Sequence, residues 1–389
     1  MKKMLFVSTA LLLLFSMGCG PTAGSYGVMS NITPPADAVA DSDEDFDNTM
    51  TPAEISYQSA QQFLNAGKYD EAISNLESAV SLNPSYIEAW SQLGSAYSTR
   101  KDYEKGISSY EKALELSPGD EGLISSIGYN YLHIENWEKA QEYFNMLLVK
   151  DENHYNANVN LAFIAQRQKK TEDAISYYEK ALISKADDAT TMGTLSGLYD
   201  KLGNKEKKFE YLTRAIEAEP ENHAFKKQLG RAYFNDKSYE KAAPIYEELV
   251  TIYPDNADFH QRLGYSYSQS NREAEAPAEL EKAIALTGGD DFTYAILAKI
   301  YNDNKNYNKA LESSKNGLAL NTGQQDAILY YQWGYALSKL NNFEEAIVKF
   351  EKVVNLKDPQ WSKYAEKEIE RQRALIKQRE AKKEQELYE

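Results

Sequence analysis

From Ala53 to Gln360, large apolar residues recur at fixed places in a frame of 34 residues. In the clearest unit, Ile87 to Asp120, they stand at Trp90, Leu93, Tyr97, Tyr103 and Tyr110, with Gly94, Gly106, Ala113 and Pro118 at the small and helix-ending places. The fourth, seventh and eleventh positions lie on one face of a helix of 3.6 residues per turn, so they mark a first helix. The eighth position is small, with Gly94, Gly128, Gly230, Gly264 and Gly334 in five of the units. A missing side chain there lets a second helix cross closely, and Ala72, Ala140, Ala174, Ala242, Ala276, Ala310 and Ala346 supply the small contact on that partner. Pro84, Pro118, Pro220 and Pro254 recur where the second helix must stop, because proline lacks the N–H and restricts the residue before it. The pattern predicts units starting at Ala53, Ile87, Glu121, Tyr155, Ala189, His223, Ala257 and Asp291, and, after a two-residue slip at Gln325 and Asp326, at Ala327. Nine helix-turn-helix units over 53–360 make an all-α chain, in which each hairpin buries its faces only against its neighbours.

These spacings resemble the tetratricopeptide repeat. The resemblance implies a right-handed superhelical solenoid with a concave groove, lined by the first helices at about their second, fifth, ninth, twelfth and thirteenth positions. It also implies protein or peptide partners lying in that groove. Here the lining includes Tyr129, Phe163, Arg167, Lys227, Arg231, Phe234, Tyr265, Lys299, Tyr331 and Tyr335, the expected peptide-binding residues. Tyr and Arg are the side chains that carry binding energy at interfaces. Lys227 and Arg231 resemble part of the clamp by which some members of the family hold a C-terminal carboxylate. The clamp is incomplete, since Val159, Phe163, Gly193 and Gly197 stand where its other polar groups would be needed.

The flanks read differently. Lys2 and Lys3 precede the apolar run Met4 to Phe15, and small residues follow at Ser16, Gly18 and Gly20, the layout of a secretory signal over 1–18. Cys19 is the only cysteine and has no disulfide partner in the chain. Phe15 to Cys19 resembles a bacterial lipobox: Gly18 fits, whereas Ser16 replaces the usual Leu and suits ordinary cleavage after Gly18 equally well. The expectation is a lipid on Cys19, anchoring the chain to a membrane, followed by an acidic tether over 19–52 that is rich in Pro, Gly, Ser and Asp and cannot bury a core. Over 361–389, Trp361, Tyr364, Ala365, Ile369 and Gln372 share one stripe and predict a capping helix whose end, beyond Lys377, frays or projects.

The net charge of −16 argues against nucleic acid as a partner. The four histidines, His133, His154, His223 and His260, are scattered, and no second His or Cys lies at metal-ligand spacing. With no phosphate loop and no nucleophile motif, the reading is of a non-enzyme with no metal and no cofactor. The tyrosines at the eleventh position, among them Tyr97, Tyr131, Tyr199 and Tyr267, are expected in the helix interface. The fifth unit is expected to be the soft point of the array: Gly193 and Gly197 weaken its first helix, or make room for a bound backbone, and Lys208 must reach out of a place built for Ala. The resulting expectation is an exported, lipid-anchored scaffold that binds protein or peptide partners in cell-envelope assembly or secretion, on an outer or inner membrane facing the periplasm. The alternatives are an accessory protein of polysaccharide export or glycan handling, and a soluble periplasmic or secreted protein.

Overall fold

The computed structural model describes residues 50–388, so the expected signal segment, Cys19 and the tether as far as Thr49 lie outside the described residues. Among the described residues there are 19 helices and no strand. They run as hairpins: α1 (Pro52–Asn65) with α2 (Tyr69–Leu82), α3 (Ile87–Thr99) with α4 (Tyr103–Leu116), and α5 (Glu121–His133) with α6 (Trp137–Lys150). Next come α7 (Tyr155–Arg167) with α8 (Thr171–Ser184), α9 (Ala189–Lys201) with α10 (Lys205–Ala218), and α11 (His223–Asn235) with α12 (Tyr239–Ile252). The last three pairs are α13 (Ala257–Ser268) with α14 (Ala276–Thr287), α15 (Asp291–Asp303) with α16 (Tyr307–Ala319), and α17 (Asp326–Lys339) with α18 (Phe343–Asn355). The long helix α19 (Ser362–Tyr388) packs on α18.

Four hairpins are closed by the same contact. The small residue at position eight of the first helix receives the side chain at position twenty-four of the second. A Cβ built on Gly94 would lie 2.8 Å from the Tyr110 ring, one on Gly128 2.9 Å from Phe144, one on Gly264 2.6 Å from Leu280, and one on Gly334 2.8 Å from Phe350. The close crossing leaves Ala72, Ala140, Ala242 and Ala346 fully buried.

The turn inside the hairpin was not legible from composition. Position fifteen adopts positive φ in eight hairpins, yet only Gly67 and Gly203 are glycine; Lys101, Glu135, Lys169, Lys237, Lys305 and Asn341 take the same conformation at φ of 58° to 65°. The amide after each reaches back to the first helix, as in Asp102 N to Tyr97 O at 2.9 Å and Lys170 N to Ala165 O at 2.9 Å, a Schellman closure that satisfies the last carbonyls. The hairpin of α13 and α14 departs from the frame: α14 starts only at Ala276, with Pro277 in its first turn.

The fifth unit corrects one expectation. Gly193 does not hold space open for a ligand backbone, because a Cβ there would lie 2.6 Å from Phe225 Cε1, the ring that the next hairpin inserts. Gly197 has nothing within 4 Å of a built Cβ. Lys208 reaches out of the place built for Ala: its stem is mostly covered and its Nζ lies 2.8 Å from the exposed Asp200 Oδ1.

Candidate functional site

Two surfaces carry organised side chains. On the first helices, the rings of Phe234, Tyr265 and Phe292 follow one another along α11, α13 and α15, with centroids 5.4 Å apart at each step. Tyr239 joins from α12, 5.5 Å from Phe234 and 5.3 Å from Tyr265. The Arg262 guanidinium stands 5.0 Å over Phe234 and is steadied by Asp258, whose carboxylate accepts from Nε at 2.8 and 2.9 Å. Phe292 is 39% exposed, a large apolar ring facing water. Sequence reasoning missed Phe292, although it occupies the second position of its unit, and missed Tyr239 and Arg262, which lie outside the expected groove positions.

The structure brings Phe234 and Tyr265 together and leaves the other expected groove residues apart. Tyr129 lies edge-on to His133, 4.4 Å between centroids, and His133 stacks on Tyr103. Burial and the charge of Lys101 hold His133 below the usual imidazole range. Phe163 and Arg167 form a separate exposed group, with the guanidinium 6.0 Å from the Phe163 and Trp137 rings and 3.9 Å from Glu135. Lys227 is engaged within the chain, its Nζ 3.9 Å from the centre of the Tyr253 ring, while Arg231 is exposed. Lys299 pairs with Asp303 at 2.8 Å. Tyr331 packs on Trp361, at the start of the capping segment, at 4.9 Å, and Tyr335 carries Lys339 over its ring at 5.0 Å. Among the described residues no group of three His, Cys, Asp or Glu could hold a metal, and no helix is long and apolar enough to cross a membrane.

The second surface is a seam along the second helices. The tyrosine at position eleven donates its hydroxyl to the glutamate twenty residues earlier, on the second helix of the preceding hairpin. Tyr97 donates to Glu77 and Tyr301 to Glu281, Tyr131 to Glu111 at 3.4 Å, Tyr199 to Glu179 at 2.7 Å and Tyr267 to Glu247 at 2.9 Å. Four of these carboxylates receive a second donor. Tyr143 reaches Glu111 at 3.2 Å and Tyr211 reaches Glu179 at 3.0 Å, while Arg272 pairs with Glu247 and Lys309 reaches Glu281 at 3.0 Å. Tyr143 and Tyr211 stack on Tyr131 and Tyr199, both at 5.7 Å between centroids. Burial first, and then the carboxylate beside each, pushes the Tyr143 and Tyr199 phenols up to about 12. The seam is interrupted where Asn145 faces Ala165 and Thr213 faces Tyr233 at the corresponding positions. Of the eleventh-position tyrosines, Tyr97, Tyr267 and Tyr301 are buried and Tyr131, Tyr199 and Tyr233 are half-buried.

The family comparisons agree with this geometry. The model for the cilia and flagella-associated protein 70 C-terminal domain, a tetratricopeptide-repeat model, matches residues 36–251, more than half of the chain. The chain belongs to this tetratricopeptide-repeat family. The general tetratricopeptide-repeat model also matches residues 257–289 and 327–359. Among solved structures, MamA (residue 41 to its end) from Desulfovibrio magneticus RS-1 is similar at 19% identity, covering 44% of this chain and 97% of its own, with a TM-score of 0.41. YrrB, described as a tetratricopeptide-repeat protein with an unusual peptide-binding site, is similar at 20% identity, covering 48% of this chain and 92% of its own, with a TM-score of 0.38. PilF of Pseudomonas aeruginosa is similar at 17% identity, covering 54% and 96%, with a TM-score of 0.43. No curated protein matches. The fold is the protein-binding scaffold of the tetratricopeptide-repeat family.

Proposed function

We infer that the protein is a non-enzymatic scaffold which captures a polypeptide partner along its first helices, in the service of cell-envelope assembly or secretion. The observation that carries this reading is the row Phe234, Tyr265 and Phe292 with Arg262 beside it, an aromatic surface continuous over three hairpins and partly open to water. Aromatic rings lose little conformational freedom on binding, so such a row favours an extended chain laid across it. Exposed Arg231, three residues before Phe234 on α11, adds a cation for acidic groups of the guest.

Export and a lipid on Cys19 complete the proposal, supported by the order of Lys2, Lys3, the apolar run and Gly18–Cys19. Two or three acyl chains, at about 0.8 kcal/mol per buried methylene, would hold the scaffold on a membrane facing the periplasm. Photo-crosslinking from position 265 in intact cells, read by mass spectrometry, is expected to yield a polypeptide adduct that is lost with Arg231→Ala. Adducts to glycan alone would overturn the reading in favour of the polysaccharide alternative. Metabolic labelling with a fatty-acid analogue is expected to tag the natural chain and not Cys19→Ser; equal labelling would refute the anchor.

A further inference from the structure

The seam contains one carboxylate with a place to spare. Glu111, Glu179, Glu247 and Glu281 each receive two donors, whereas Glu77 receives Tyr97 alone. The second donor comes from position twenty-three at two of these carboxylates, Tyr143 in α6 and Tyr211 in α10, and from Arg272 and Lys309 at the other two; in α4 position twenty-three is Ser109, and Lys105, the counterpart of Lys309, pairs with Asp102 at 3.2 Å instead. Beside Ser109 an open cavity of about 360 Å³ lies between α2, α3 and α4. Val80, Trp90, Leu93 and Tyr97 give it apolar lining, and Glu77 and Lys105 line it with charge.

We propose that this cavity is a recognition site for a tyrosyl side chain of a partner polypeptide. The chain itself supplies the template. In α6 and α10 a phenol ring lies 5.7 Å from the tyrosine at position eleven, nearly parallel to it, and gives its hydroxyl to the same carboxylate that this tyrosine uses. A guest ring seated in the cavity would stack on Tyr97 and donate to Glu77. It thereby pairs a polar group that a phenylalanine would leave unmatched. A guest cation fits less well, because Lys105 already lines the cavity, 5.1 Å over the Tyr97 ring. The site is separate from the aromatic row on α11, α13 and α15, and it stands or falls independently of it.

The test uses the full chain with two probes, p-cresol and N-acetyl-L-tyrosinamide, followed by NMR shifts at Trp90 and Tyr97. Both probes are expected to bind saturably with Kd in the low millimolar range, about what one buried ring and one hydrogen bond supply. N-acetyl-phenylalaninamide is expected to bind about tenfold more weakly than the tyrosine probe, and Glu77→Ala to erase that preference. Ser109→Tyr should fold, since it rebuilds what α6 and α10 already contain, and should weaken both probes at least about tenfold by occupying the space. The proposal is overturned if neither probe perturbs Trp90 and Tyr97, or if Ser109→Tyr binds as the natural chain does. Binding of p-cresol with exclusion of the tyrosinamide would also overturn it, because a polypeptide backbone could not then reach the site.

Discussion

The hairpins α3–α4 and α9–α10 dock on their predecessors through the same positions of the frame, and they end differently. At α10 the Glu179 carboxylate is shared by Tyr199 and Tyr211, whose rings stack within 9° of parallel. At α4 the equivalent carboxylate meets one phenol, and Ser109 leaves room where the second would lie. Both hairpins keep the crossings that make the fold. Gly94 receives Tyr110 in the first, and Leu195 and Leu212 are buried in the second. The contrast separates two layers of the structure. Positions eight, twenty and twenty-four set how helices cross and are held by sterics. Position twenty-three adds a buried ring and a hydroxyl to the junction in α10 and is a serine in α4, so its residue changes while the crossing positions stay.

Removing the ring from the closed junction should have the largest effect. Tyr211 is buried, so Tyr211→Ser is expected to cost about 3 kcal/mol or more, seen as a lower urea midpoint, since deleting a buried aromatic ring costs about 3–5 kcal/mol. An unchanged midpoint would mean that the seam contributes nothing. Gly128→Ala comes next: its Cβ would meet Phe144 at 2.9 Å, and the resulting overpacking should cost about 1–3 kcal/mol. At Gly197, where a Cβ meets nothing, the same change is expected to stabilise by about 0.5–1 kcal/mol. If Gly128→Ala and Gly197→Ala shifted stability alike, the close crossing would not be what glycine serves in this frame.

A smaller effect should follow pH. The Tyr143 and Tyr199 phenols are raised to about 12 in the fold, and an unfolded phenol titrates near 10. A group with a raised folded pKa lends stability that is complete below the unfolded value and lost as pH rises through the folded one. Urea midpoints should therefore be flat to about pH 10 and fall toward pH 12. Partial exposure of these hydroxyls keeps the change modest. Tyr143→Phe with Tyr199→Phe should make the alkaline limb shallower without removing it, because burial also raises Tyr97, Tyr178, Tyr211, Tyr239, Tyr246 and Tyr267; a limb unaltered by both changes would leave the fall to those other phenols.

Much of this molecule could be read along the chain because the repeat multiplies weak signals. Gly94, Gly128, Gly264 and Gly334 at one position and the recurring alanines twelve residues on identify the crossing without coordinates. The capping segment was legible in part: Ala365, Ile369 and Gln372 form the buried stripe of α19, whereas Tyr364, expected on it, is exposed. The seam was not, because its glutamates look like ordinary surface charges and their partners lie twenty residues away on a neighbouring hairpin. The left-handed turns at Lys101 and Lys169 were hidden for a related reason: the closure of the hairpin imposes a conformation that those residues do not advertise. Of the expected groove residues, Phe234 and Tyr265 share one surface. Tyr331 is partly covered by Trp361, a contact set by where the capping segment returns. Of the two readings of Gly193, room for a bound backbone fails because the ring that fills its space, Phe225, belongs to the following unit.

Exchanging the two residues at position twenty-three tests the comparison most directly. In the double variant Ser109→Tyr with Tyr211→Ser, the closed and open junctions trade places while the composition of the chain is unchanged. Titration with p-cresol, followed by NMR at assigned aromatic resonances, is expected to leave Trp90 and Tyr97 undisturbed and to shift Tyr199 instead. Perturbation that remains at Trp90 and Tyr97 in the exchanged protein would contradict the account, because the cavity would then owe nothing to the missing ring.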